Sequence, residues 1–115
     1  MISVAPLADA QQAVPLLRIL RDQLSEAVFA TRLARSQAQG YELLAAWNGD
    51  QIVGVLGYRL TDDLCWGRTF YVDDLVVSPE ARSQGIGAAL LDHAKDIAQV
   101  TCNHIRLCSG LSRDA

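Results

Sequence analysis

The chain has 115 residues, half of them hydrophobic and a fifth charged, which suffices for one small core and excludes a disordered polymer. Its net charge of −3 is scattered rather than blocked, which argues against the basic stripe of a nucleic-acid or anionic-membrane binder. No apolar run approaches the ~20 residues that span a bilayer and no basic, apolar leader opens the chain, so a soluble cytoplasmic protein without a membrane partner is expected.

Ile2 to Ala5 alternates apolar and small residues and predicts a first strand. Asp9 with Gln12 resembles a capping box, and Pro15 suits the first turn of a helix whose face carries Leu16, Leu17, Leu20 and Leu24. Ser25 and Glu26 restart a helix through Val28, Phe29 and Leu33, which fades over residues 36–40. Two strand-like runs, 41–47 and 51–60, meet at Asn48-Gly49-Asp50, a strong hairpin signal. Gly54 and Gly57 inside the second run predict a bulge or a close approach of another group.

Residues 61–67 read as a polar connection to a long strand over about 68–77. A turn at Ser78-Pro79 follows, and the run Arg82-Ser83-Gln84-Gly85-Ile86-Gly87 opens a helix with Ile86, Leu90, Ala94 and Ile97 on one stripe. His104 to Ser109 predicts a last strand. No repeat or linker divides the chain, so residues 1–115 read as one domain. Cys65, Cys102 and Cys108 are odd in number and form no CxxC pair, so they read as reduced, mostly buried thiols rather than a disulfide framework or a metal site.

The glycine run carries the clearest chemistry. Backbone N–H groups from Gln84 to Ala88, at such a helix start, have no intrahelical partners. With the positive end of the helix dipole and Arg82 they make a site for a phosphate-bearing ligand. Side chains at positions 85 and 87 would hold that ligand away from the backbone. A dinucleotide fold needs a small residue where Leu90 stands, with its glycines directly after the strand, and a P-loop needs Gly-Lys-Ser/Thr; neither pattern is met.

This run, preceded by Leu75-Val76-Val77 and followed by Leu90-Leu91, resembles the acyl-CoA-binding motif of the GNAT superfamily of N-acetyltransferases. More loosely, the resemblance extends over the whole chain. It implies an α/β fold with a mixed twisted sheet flanked by helices, in the order β-α-α-β-β-β-α-β, lacking the usual C-terminal helix and last two strands. The implied reaction moves an acetyl group from acetyl-CoA, as co-substrate, to a primary amine by direct attack in a ternary complex, with no metal. On that resemblance the backbone of Leu75, Val76 and Val77 takes the pantetheine arm and the thioester oxygen. Arg82, Ser83, Gln84, Gly85, Ile86, Gly87 and Ala88 cradle the pyrophosphate, and the first two helices border the acceptor.

In the strand before the loop, Tyr71, Asp73, Leu75 and Val77 share a face by the period of two, with Asp74 opposite, unless a bulge alters the parity. Asp73, ahead of Asp74, is the candidate to take the amine proton and would suit a cationic acceptor. Tyr71 is a candidate for the acceptor pocket. The plainer reading pairs the carboxylates with Arg59 or Arg68. Ser25 reads as a cap, His93, Arg106 and Arg113 as surface groups, and Trp47 and Trp66 as packing residues. His104 has no neighbouring partner in sequence.

Family members continue into a helix that often carries the tyrosine protonating the CoA thiolate, and no tyrosine follows Tyr71 here. A catalytically inactive acyl-CoA-binding or oligomerisation module, and a fragment of an ordinary enzyme, therefore stay open. The last strand, left unpartnered, predicts a homodimer through its edge. The acceptor, a small-molecule or peptide amine, is not legible, because a fold does not dictate its substrate.

Overall fold

Helices begin where the sequence supplies caps. Asp9 accepts a hydrogen bond from the Gln11 N–H and starts a 3-10 turn over Ala10–Ala13. That turn runs straight into α1 (Val14–Leu20), with Pro15 in the first turn, where a missing N–H costs no helical bond. The Ser25 hydroxyl accepts from the Val28 N–H at 3.2 Å and opens α2 (Glu26–Ala38). The third helix, α3 (Ile86–Thr101), follows Gly85, whose φ of +73° is a left-handed conformation that favours glycine. The structure, a computed structural model, describes residues 2–82, 84–102 and 104–107.

The strands β1 (Ile2–Leu7), β2 (Glu42–Asn48), β3 (Gln51–Asp63), β4 (Gly67–Val77) and β5 (His104–Leu107) form one mixed sheet in sequence order. Pairing is antiparallel up to β4, and β5 returns parallel to β4 after the α3 crossover. Residues 61–67, expected as a connection, are mostly strand: β3 runs to Asp63 and β4 starts at Gly67. The Asp63 carboxylate closes the turn between them, accepting from the Trp66 N–H at 2.6 Å and the Thr69 hydroxyl at 3.3 Å. Asp62 pairs with Arg68 across the ribbon at 3.3 Å. Residues 62–66 are exposed, so no alternation of apolar side chains announces this extension.

Helices cover both faces of the sheet. On one, Ile86, Leu90, Ala94 and Ala98 of α3 pack against Leu44, Leu56, Phe70 and Val72. Ala98, rather than the expected Ile97, is the buried residue at the end of that stripe. On the other, Leu16, Leu17, Phe29 and Leu33 of α1 and α2 pack against Leu43, Ala45, Val55 and Val76. Because β2 is covered on both sides, Leu43, Leu44, Ala45 and Ala46 are all buried and its alternation disappears. Each fully buried Leu or Phe contributes roughly 1.5–3 kcal/mol.

Val28, expected with the apolar face of α2, points outward. Cys102 is half-buried but Cys65 lies exposed in the β3–β4 turn, so the expectation of mostly buried thiols fails there. Ser83, Cys108, Ser109 and Arg113 lie outside the described residues. Among the described residues no helix is long and apolar enough to cross a membrane.

Candidate active site

One extra residue in β4 organises the site. Gly57 pairs with Asp74 while the next residue, Tyr58, pairs with Val72, which leaves Asp73 as the bulged residue. The parity of the strand changes across it. Phe70 and Val72 before the bulge, and Leu75 and Val77 after it, all pack toward α3. Asp73 and Asp74 consequently both line one cavity on the α1–α2 side, the change of parity expected of a bulge.

The cavity has a volume of about 390 Å³. Two arginines from distant elements meet the two carboxylates in it. Arg59 of β3 donates from Nε and Nη2 to the two oxygens of Asp73, both at 2.8 Å, a bidentate fork. Arg21, at the end of α1, donates to Asp74 Oδ1 from Nη2 at 2.5 Å and from Nε at 3.1 Å. The Tyr41 hydroxyl donates to the other oxygen of Asp74 at 2.7 Å.

Each of these side chains is held by its own neighbours. The Arg59 guanidinium lies over the Tyr71 ring at 5.5 Å. Arg18 donates to the Leu24 carbonyl at 2.6 Å and stacks over Phe29 at 5.3 Å, tying down the connection that carries Arg21. Tyr41 crosses directly above Gly57 to reach Asp74, and the absence of a side chain at Gly57 makes that path available.

A second feature lies at the far end of the same strand. The first helical bond of α3 runs from the Ala89 N–H to the Gly85 carbonyl at 3.0 Å, so the N–H groups of Ile86, Gly87 and Ala88 have no intrahelical acceptor. No side chain caps Gly85 among the described residues, and the first turn holds no acid to offset the helix dipole. Arg82 is exposed just before this start. Between the two features, β5 pairs with β4 only from Thr69 to Val72 among the described residues. From the bulge onward β4 keeps its β3 partner through Val77.

An Acetyltransferase (GNAT) family model matches residues 12–114. The chain belongs to the GNAT acetyltransferase family. The uncharacterized N-acetyltransferase YhdJ of Bacillus subtilis strain 168 is 31% identical over 104 residues, covering 89% of this chain and 73% of that protein. A second uncharacterized N-acetyltransferase of that strain, YhfO, is 31% identical over 103 residues, covering 84% and 69%. Among solved structures, a ribosomal-protein-alanine N-acetyltransferase from Brucella melitensis biovar Abortus 2308 superposes with a TM-score of 0.77 at 25% identity, over 93% of this chain and 79% of that one. A GNAT family acetyltransferase from Staphylococcus aureus superposes with a TM-score of 0.75 at 21% identity, over 94% and 86%.

Within this GNAT domain the residues singled out in sequence fall in two places. Arg82, Gln84, Gly85, Ile86, Gly87 and Ala88 gather at the start of α3, while Ser83 lies outside the described residues. Leu75, Val76 and Val77 form the end of β4. Asp73 and Asp74 line the cavity; Tyr71 is not part of its wall and instead carries Arg59. Of the two arginines offered as partners, Arg59 takes Asp73, and Arg68 takes Asp62 instead. His104 stacks on Trp66 at 4.4 Å, a partner no sequence spacing announces. Arg21, Arg32 and Tyr41 line the cavity as well and were missed. The one hint was Gly57, whose close approach was expected without its occupant.

The tyrosines give this GNAT chain an alkaline limit. Burial first, then the charge of Asp74 and the hydrogen bond to it, push the Tyr41 phenol far above its ordinary value. Burial and Glu42 push Tyr58 up to about 12. An unfolded chain ionises both near pH 10, whereas the folded chain keeps its protons. The stability from each group is therefore complete below pH 10 and declines above it by about 1.4 kcal/mol per pH unit, levelling off for Tyr58 near its folded value. Urea midpoints measured from pH 9 to 11.5 should fall accordingly, and Tyr41→Phe should remove about half of the slope.

Proposed function

We propose that this GNAT domain transfers an acetyl group from acetyl-CoA to a primary amine by direct attack within a ternary complex. One observation carries the reading: β4, with its bulge at Asp73, leads within a few residues to the uncapped start of α3. Such an arrangement suits a ligand with an extended amide arm and an anionic head. The arm would add along Leu75, Val76 and Val77 by strand-like hydrogen bonds. The pyrophosphate would rest on the N–H groups of Ile86, Gly87 and Ala88, with Arg82 and the backbone of Ser83, Gln84 and Gly85 around it.

The neutral amine nitrogen attacks the thioester carbonyl carbon, and a β4 backbone N–H near the bulge takes the developing oxyanion. Collapse breaks the carbon–sulfur bond and releases the CoA thiolate. The nitrogen's proton passes to Asp73. That role is assigned to Asp73 rather than Asp74 because Arg59 leaves its outer lone pairs open, whereas Asp74 already accepts three bonds. Tyr71 then acts as a positioning residue, through Arg59.

Calorimetric titration of acetyl-CoA into the purified chain tests the reading. Arg82→Ala and Gly87→Trp should each weaken binding at least tenfold, or about 1.4 kcal/mol. A Cβ at Gly87 meets nothing closer than Val77 Cγ2 at 3.9 Å, so a side chain can start there without a clash. No binding by the folded wild-type chain would overturn the proposal.

A further inference from the structure

Resting on that reading, we infer that the acceptor is an amine that also carries a carboxylate, of the amino-acid type, and that Arg32 receives the carboxylate. Three guanidiniums, Arg21, Arg32 and Arg59, line the cavity against two carboxylates, Asp73 and Asp74. Arg21 and Arg59 are each committed to one aspartate. Arg32 makes no ion pair among the described residues, and its helical neighbours at positions 28, 29, 35 and 36 include no acid.

The layering of these charges points the same way. The side chains of Asp74 and Asp73 are 13% and 20% exposed, beneath those of Arg21 and Arg59 at 40% and 35%. An entering molecule therefore meets guanidinium before carboxylate. A polycation could place one nitrogen on the remaining lone pairs of Asp73 but would bring its other charges against the three guanidiniums, which repel them. An amino acid fits both layers. Its carboxylate takes the planar fork of Arg32, as guanidinium geometry favours, and its nitrogen reaches the remaining lone pairs of Asp73. Arg32 stands on the face of α2 that also brings Phe29, Leu33 and Ser36 to the cavity wall, so the side-chain end of such a ligand meets a partly apolar surface. The expectation that one of these carboxylates suits a cationic acceptor gives way to a zwitterionic one.

The test is a panel of free amino acids, each beside its carboxamide and its decarboxylated amine, with spermidine as the polycation, followed by release of the CoA thiol. Acids should exceed their amides at least tenfold in kcat/KM; Arg32→Glu should abolish or reverse that preference and Arg32→Lys should keep part of it. Arg32 is exposed on its helix, so these variants should fold as the wild type does. Amides or spermidine used as well as acids, or a preference that survives Arg32→Glu, would overturn the inference while acetyl transfer stands. If no amine turns over, acetyl transfer itself fails, and calorimetric binding of the same acids and amides in the presence of CoA decides. A preference for acids that Arg32→Glu removes then supports the inference, and equal binding overturns it.

Discussion

Gly57→Ala is expected to destabilise the fold by about 4 kcal/mol, beyond the ~1–3 kcal/mol usual for an overpacked core. A methyl group there would overlap the hydroxyl and Cζ of Tyr41 and fall 2.7 Å from its Cε1. The ring is held at both ends. Its hydroxyl is bound to Asp74 at 2.7 Å and its backbone N–H to the Ser36 carbonyl at 2.9 Å. Moving it would leave a buried phenol and one oxygen of Asp74 without their partner, which adds a desolvation cost to the steric one.

Gly54 supplies the contrast. A methyl group there meets Ile86 Cγ2 at 2.7 Å and Leu90 Cδ1 at 3.2 Å, apolar groups with no hydrogen bond to lose. Gly54→Ala should cost about 1–2 kcal/mol. Urea denaturation gives both numbers, and a double-mutant cycle isolates the cause. In a Tyr41→Ala background the cost of Gly57→Ala should drop below ~1 kcal/mol, because the colliding ring is gone. A small cost in the wild-type background would refute the packing account.

Asp73→Asn should lower kcat about a hundredfold, the low end of what a positioned proton acceptor contributes, with acetyl-CoA affinity unchanged. Asparagine matches the shape of aspartate but cannot take a proton, and it returns only one acceptor oxygen to Arg59. Asp74→Asn should separate from it. That carboxylate accepts from Arg21 and Tyr41, so its loss should appear first in stability, by about 1–3 kcal/mol, and less in turnover. Steady-state rates and urea midpoints on both variants give the comparison. If Asp73→Asn keeps more than a third of the activity, the amine loses its proton to solvent and Asp73 serves only to orient it.

What the sequence determined by itself was the set of features encoded over a few residues. The Ser25 cap, the Gly49 hairpin, the apolar stripe of α3 and the glycine loop ahead of it depend on contacts between residues two to four positions apart. Those signals sufficed for the element order and, through the loop, for the family. Tertiary structure alone decided the site. The bulge at Asp73 turns both carboxylates to one side, and a period-two reading cannot register a single extra residue. Their partners lie 53, 33 and 14 positions away, at Arg21, Tyr41 and Arg59. Coulomb attraction and hydrogen bonding act through space, so only the packing of α1, α2 and β3 against β4 could choose among ten cationic side chains.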